Sequence, residues 1–187
     1  MHITKIVATI AFVFFSVDVL ADIKGHAGVI PYSCHNNQAV VLLAFDPYSG
    51  RGGWGAFGGL AEKGEIIAQT AAREFREETN CAFRPLDVTG LSASLSGEFY
   101  TFFAPVEYVS STDIENNERC RNIERRDWRW VNLNSLVQAL ENNSDNIPVH
   151  GHSKQKLYLW DGARSSLRQA LDDGIMTTSI DCTMPKS

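Results

Sequence analysis

Hydrophobic and polar positions along the chain change period several times, and each change predicts an element. Two short apolar runs at 26–32 and 39–45, separated by the turn-forming residues 34–37, read as a pair of strands. A loop rich in Gly, Pro and Ser follows at 46–53. From 66 to 79 the period becomes helical: Ala68, Ala72, Phe75 and Thr79 fall on one side, and Glu74, Glu77 and Glu78 project together from the other. Residues 98–106 read as a strand paired with a preceding one near 91–95, and 128–131 as a further strand. Asn134 is the expected cap of a helix running to about Leu140. Leu157, Trp160, Leu167 and Leu171 predict a last helix over 153–171, with Gly162 as its weak point. Strands interleaved with helices imply an α/β layered domain built on a mixed sheet.

Before these elements lies an uncharged apolar run, 6–17, preceded by Lys5 and closed by Asp18. It is too short to span a bilayer, which needs roughly 20 apolar residues, and Val19, Leu20 and Ala21 supply the residues a signal peptidase reads. The expectation is a signal peptide over 1–21, with an uncleaved anchor as the closest rival. A single domain over 22–187 would follow, exported to a periplasm or secreted, with no stable membrane span after cleavage. Export would allow Cys34, Cys81, Cys120 and Cys182 to form up to two disulfides, in any of three connectivities. None of the four is in a C-x-x-C pair, which argues against structural zinc. Cys81, at an apolar position just past the helix, reads as a buried thiol.

Composition narrows the class of partner. The chain has 187 residues, 44% hydrophobic and 21% charged, with 17 Lys+Arg against 22 Asp+Glu and a net charge of −5. That balance is globular and argues against a wide basic surface for a nucleic acid duplex. Three carboxylates on one helix face repel one another by about 0.2–0.5 kcal/mol per pair unless something compensates them. Hard divalent cations such as Mg²⁺ or Mn²⁺ prefer oxygen ligands and are often held between carboxylates and substrate phosphates. A plain solvated face, softened by Arg73 and Arg76, is the competing explanation when the helix is taken alone.

The wider spacing decides between them. Gly59, then Glu65, then Arg73-Glu74-Phe75-Arg76-Glu77-Glu78-Thr79-Asn80-Cys81 closely resembles the box of the Nudix phosphohydrolases, here 59–81, with Asn80 where that family has glycine. Asn tolerates a left-handed helix end better than other residues with a Cβ, so the geometry is expected to survive. Trp54 to Gly59 resembles the family's aromatic approach to a double glycine, and Trp128 to Leu133 its closing tryptophan strand. The resemblance implies an α/β/α sandwich with a loop-helix-loop catalytic box. It also implies Mg²⁺ or Mn²⁺ bound by Glu74, Glu77 and Glu78 with the Gly58 carbonyl, and site support from Gly59, Glu65 and Arg73.

The implied reaction is attack of water at phosphorus, splitting a nucleoside diphosphate derivative into a nucleoside monophosphate and a phosphorylated remainder. Glu77 or Glu78 would act as base through the metal shell, or Glu124 would, from just before the tryptophan strand. Glu98 and Glu118 are weaker candidates. The His150-Gly151-His152 segment reads as a polar loop. The alternatives are an exported nucleotide- or partner-binding module without hydrolysis, and an isomerase on the same scaffold. No segment of the sequence selects one nucleotide.

Overall fold

A computed structural model describes residues 25–48, 50–120 and 124–183, apart from the side chain of Ser153. The expected signal peptide at 1–21 lies outside the described residues, and no described helix is long and apolar enough to cross a membrane. The first two strands, β1 (His26–His35) and β2 (Gln38–Asp46), form an antiparallel hairpin. Asn36 and Asn37 both take positive φ (50° and 58°), the conformation a two-residue hairpin turn requires and Asn accepts.

After the hairpin come β3 (Gly53–Gly55), β4 (Phe57–Gly59), helix α1 (Ile67–Glu78), β5 (Ala93–Ser96), β6 (Phe99–Pro105) and helix α2 (Ser111–Glu115). The chain continues through β7 (Arg126–Asn132), α3 (Leu133–Glu141), β8 (Ile147–Val149), β9 (His152–Leu157) and α4 (Asp161–Asp172). The strands form one sheet in the order β5-β6-β1-β2-β7-β8-β9, with β3 on β2 and β4 on β1. The β1–β6 pairing is parallel and the others antiparallel, so the sheet is mixed.

Alternation along the central strands sends side chains to two cores. Val41 and Leu43 of β2 join Ile30, Val131, Leu136 of α3 and Leu167 of α4 on one face. Val40, Leu42 and Ala44 join Phe57, Trp128, Trp130, Ile114 of α2 and Ala71 and Phe75 of α1 on the other. The result is the expected α/β/α layering.

Three expectations change. Residues 153–157 belong to β9, and the last helix begins only at Asp161. There Leu157 and Leu159 are buried and Tyr158 is exposed, a period of two that the spacing of Leu157 and Trp160 masks. The cap of α3 is Asn132, not Asn134: its side chain accepts from the Ser135 N–H at 3.2 Å, directly where β7 ends. Cys81 is not a thiol. It pairs with Cys120, and Cys34 pairs with Cys182, because the fold brings the Cα atoms of each pair to 5.3 Å.

Candidate active site

Helix α1 delivers two carboxylates inward. Ala71 and Phe75 are fully buried beneath it and Ala72 only partly, so the core-facing side is rotated from the one the pattern predicted. That rotation carries Glu74 and Glu78, one helical turn apart, against β4, where both are buried, while Glu77 is left about half exposed. Of the three carboxylates expected on one helix face, Glu74 and Glu78 are therefore buried and Glu77 is exposed.

The double glycine explains how the buried pair fits. Gly58 has φ +152°, and a Cβ there would stand 2.6 Å from the Cα of Gly28 and 2.7 Å from the Ala27 carbonyl, within the β1–β4 pairing. A Cβ on Gly59 would meet Oε1 of Glu74 at 2.5 Å. The missing side chains thus let two strands close up and leave room for the Glu74 carboxylate. The Gly58 N–H donates to Oε2 of Glu78 at 2.8 Å.

Arg73 and Glu65 tie the box together. Glu65 accepts from Arg73 Nε at 2.8 Å, from the Glu62 N–H at 2.9 Å and from the Thr70 hydroxyl at 3.1 Å. Arg73 also donates to Glu74 at 2.9 Å, to Glu77 at 3.2 Å and to the Leu60 carbonyl at 2.9 Å. Hydrogen bonds from Arg73 hold the Glu65 carboxyl down at about 2, and Glu65 in turn raises the Arg73 guanidinium.

One carboxylate oxygen from each of Glu74, Glu78 and Glu124 lies within 4.8 Å of the others, the one such group among the described residues. Glu77 stands outside it. Glu98 and Glu118 are exposed, and neither lines the cavity at this group. Burial drives the Glu78 carboxyl up to about 7 against the opposing pull of Arg125 and the Gly58 N–H. Glu74 is also raised, chiefly by burial, with Arg73 opposing and the neighbouring charges of Glu124 and Glu77 adding to the rise. Three oxygen donors, two of them buried and pressed toward protonation, fit a hard divalent cation that would take the proton's place.

Arg125 and Asp46 were not among the expected site residues. Arg125 is buried, with Nε 2.8 Å from Glu78 and Nη1 2.8 Å from the equally buried Asp46. Asp46 also accepts from Arg51 at 3.0 Å and from the Tyr48 N–H at 3.0 Å. The available signal was a charged residue ending the apolar run of β2. The tryptophan strand contributes as well: Trp128 Nε1 donates to the Glu78 carbonyl at 2.9 Å, fixing the end of α1.

A cavity of about 590 Å³ opens from the three glutamates. Thr101 of β6, Ser166 of α4, Trp160 and Arg51 are among the residues that line it. Thr101 is buried, and its hydroxyl has no hydrogen-bond partner among the described residues. The guanidinium of Arg51 lies 5.3 Å from the Trp160 ring centre.

With this geometry, comparison with known proteins is decisive at the level of family. Residues 24–150 match the model of the NUDIX domain. The chain belongs to the NUDIX family. A mimivirus protein, uncharacterized protein L534 of Acanthamoeba polyphaga mimivirus, is 39% identical over 72 residues, covering 36% of this chain and 23% of that protein. The matched stretch thus spans about a quarter of that relative. Among solved structures, the NUDIX domain of Shewanella oneidensis NrtR, complexed with ADP ribose, matches at a TM-score of 0.50 and 15% identity, over 85% of this chain and 93% of that one. The Nudix hydrolase RenU of M. smegmatis matches at a TM-score of 0.48 and 17% identity, over 81% and 86%. The first of these supports the shared fold.

Proposed function

We infer that this Nudix protein is a Mg²⁺- or Mn²⁺-dependent hydrolase that cleaves the diphosphate of a nucleoside diphosphate linked to a second moiety. The observation that carries the reading is the gathering of Glu74, Glu78 and Glu124 in the lining of one cavity that also holds Arg51, Arg125 and the hydroxyls of Thr101 and Ser166. A divalent cation held there would neutralise the diphosphate and acidify water.

The chain's own residues supply the rest. Glu74 and Glu78 are fixed as ligands by Arg73, by Arg125 and by the Gly58 N–H. Both oxygens of Glu78 are already engaged, Oε1 by Arg125 and Oε2 by Gly58, which suits a ligand better than a proton acceptor. Glu124, the exposed member of the group, is proposed to join them around the cation and to take the proton from attacking water. Glu77 serves at the rim, with Arg73. Thr101 and Ser166 offer hydroxyls to the nucleoside or its partner group, and Arg51 a positive charge in the same lining. Two disulfides support export of the protein, since such bonds persist in oxidising compartments.

The test is release of nucleoside monophosphate from a panel of nucleoside diphosphate derivatives, ADP-ribose and dinucleoside polyphosphates among them, with Mg²⁺ or Mn²⁺. Glu78→Gln and Glu77→Gln run alongside. Metal-dependent release that Glu78→Gln abolishes is expected. Nucleotide binding without turnover across the panel would overturn hydrolysis in favour of a binding module.

A further inference from the structure

We propose that His26 binds the diphosphate of the substrate, donating from Nε2 into the cavity while its Nδ1 holds the loop that leads into α1. The proposal rests on the hydrolase reading above and adds a contact that neither the metal ligands nor Arg51 supplies.

Strand register sets where the imidazole stands. Successive residues of β1 point to opposite faces, and Ala27 and Val29 lie in the core with Ala71 and Phe75 of α1. His26, Gly28 and Ile30 therefore face the other way, and His26 and Ile30 both line the cavity. On the neighbouring strand β6, the partners of His26 and Gly28 are Phe99 and Thr101, which line it too. On the other side β1 pairs with β4, Ala27 opposite Gly59 and Gly28 opposite Gly58. Adjacent strands lie ~4.8 Å apart, and two residues along a strand cover about 7 Å. The imidazole is thus carried beside the double glycine that borders Glu74 and Glu78.

Its hydrogen-bonding capacity is half used. Nδ1 accepts from the Ala61 N–H at 3.3 Å, and this is the one hydrogen bond of the side chain among the described residues. A ring nitrogen that accepts carries no proton, so in the neutral ring the proton is on Nε2, which becomes a donor. Phe99 across the strand and Leu60 next to Gly59 are apolar and offer it no side-chain acceptor. A donor in the wall of this cavity suits an oxygen of the diphosphate that the cation would draw there, because a bond to an anionic acceptor is charge-assisted.

The Ala61 bond gives that donor its aim. Turning the ring over would break it. Leu60, one residue earlier, gives its carbonyl to Arg73 Nη2 at 2.9 Å, so the segment that pins the imidazole is itself tied to α1.

Two amides separate the two nitrogens. In His26→Asn, Oδ1 takes the place of Nδ1 and can accept from Ala61, and nothing stands where Nε2 was. In His26→Gln the amide reaches the place of Nε2 as a donor, and the Ala61 bond is lost. The probe is methylenediphosphonate, which carries no nucleoside and whose bridging carbon resists hydrolysis, titrated calorimetrically into the full chain saturated with Mn²⁺. His26→Asn is expected to weaken its binding by ~10–100-fold, the worth of one hydrogen bond to a charged group, and His26→Gln to stay within ~3-fold of wild type. Mn²⁺ affinity without the probe should be equal in all three proteins. Hydrogen exchange of the Ala61 amide should quicken in the Gln variant alone.

The reverse order, with His26→Asn at the wild-type value and His26→Gln impaired, would overturn the proposal and leave His26 as a latch on the loop. Should one variant fail to fold, the other decides: wild-type binding in His26→Asn, or binding lost in His26→Gln, refutes the contact. A wild-type protein that takes up Mn²⁺ but no methylenediphosphonate would overturn the diphosphate reading of the site, and this proposal with it. The wild-type titration therefore tells the two failures apart.

Discussion

Replacing Arg125 by methionine keeps most of the side chain's length and removes its charge. In the wild type the guanidinium lies 2.8 Å from each of two carboxylates, Glu78 and Asp46, both almost fully buried. Each pair attracts by about 4 kcal/mol at an effective dielectric constant of ~20. The two acids do not lose equally. Asp46 keeps Arg51 and the Tyr48 N–H, whereas Glu78 keeps the Gly58 N–H. Removing one partner of a buried pair destabilises by ~3–5 kcal/mol, because the other charge stays behind.

The loss should depend on pH, and the sign follows from Glu78. Its folded pKa, about 7, lies above the ordinary 4.5, so the folded state binds more protons than the unfolded one between those values. Stability therefore falls as pH rises through that window. Without Arg125 the folded pKa moves higher and the window extends upward. At pH 5.5 Glu78 is largely protonated in both proteins, and Arg125→Met should cost little beyond the weakened hold on Asp46. At pH 8 the full ~3–5 kcal/mol should appear, about 6–20 °C in melting temperature for a domain of this size. Urea unfolding at the two pH values measures both numbers, with Arg125→Lys expected in between. A loss equal at both pH values, or below ~1 kcal/mol at pH 8, would refute the placement of Arg125 as the cation of Glu78.

Three other outcomes follow from the same geometry. Gly59→Ala puts a methyl group 2.5 Å from Oε1 of Glu74, so Mn²⁺ titration should show affinity falling by at least ~10-fold, and wild-type affinity would mean that Glu74 is no ligand. Thr101→Val removes a buried hydroxyl with no partner among the described residues, so thermal melts should show stability unchanged or raised by up to ~1 kcal/mol, while KM rises for the true substrate; a marked loss of stability would show that the hydroxyl is bonded in the free protein. Because Glu78 must lose its proton to bind a cation, apparent Mn²⁺ affinity should be flat above pH ~7 and fall towards tenfold per unit below it, with proton release seen in calorimetry in buffers of different ionisation enthalpy; a flat profile from pH 5.5 to 8 would exclude Glu78 as a ligand.

What the sequence discloses of this fold is what depends on near neighbours. The box helix, the first two strands and the tryptophan strand all follow from spacing within a dozen residues, and Asn80 at φ +53° takes the left-handed position that its residue type allows. Residues 153–157 went astray because Leu157 and Trp160 fit a helical period as well as Leu157 and Leu159 fit a strand, and pairing with β8 decides between them. The cysteine pairing was not legible, since Cys34 and Cys182 are separated by 148 positions and meet only once the sheet exists. Arg125 was missed for the same kind of reason. Its partners Glu78 and Asp46 belong to other elements, and nothing local distinguishes it from Arg126, which is exposed.

The charges around α1 support the proposed cation. Among the described residues seven carboxylates pair or group there, those of Asp46, Glu62, Glu65, Glu74, Glu77, Glu78 and Glu124, with the guanidiniums of Arg51, Arg73 and Arg125. These carboxylates outnumber the described guanidiniums, and two of them, Glu74 and Glu78, are buried. A protein under no other demand would exchange one of them for an amide, because a buried charge without full compensation costs several kcal/mol. Here the chain instead adds Arg125 and the Gly58 N–H to Glu78 and Arg73 to Glu74, which keeps both in place while leaving their proton affinity high. Partial compensation of this kind preserves a site of raised proton affinity, in which a divalent cation would take the proton's place. A binding module without metal would gain nothing from that excess, and the Mn²⁺ titration across pH separates the two.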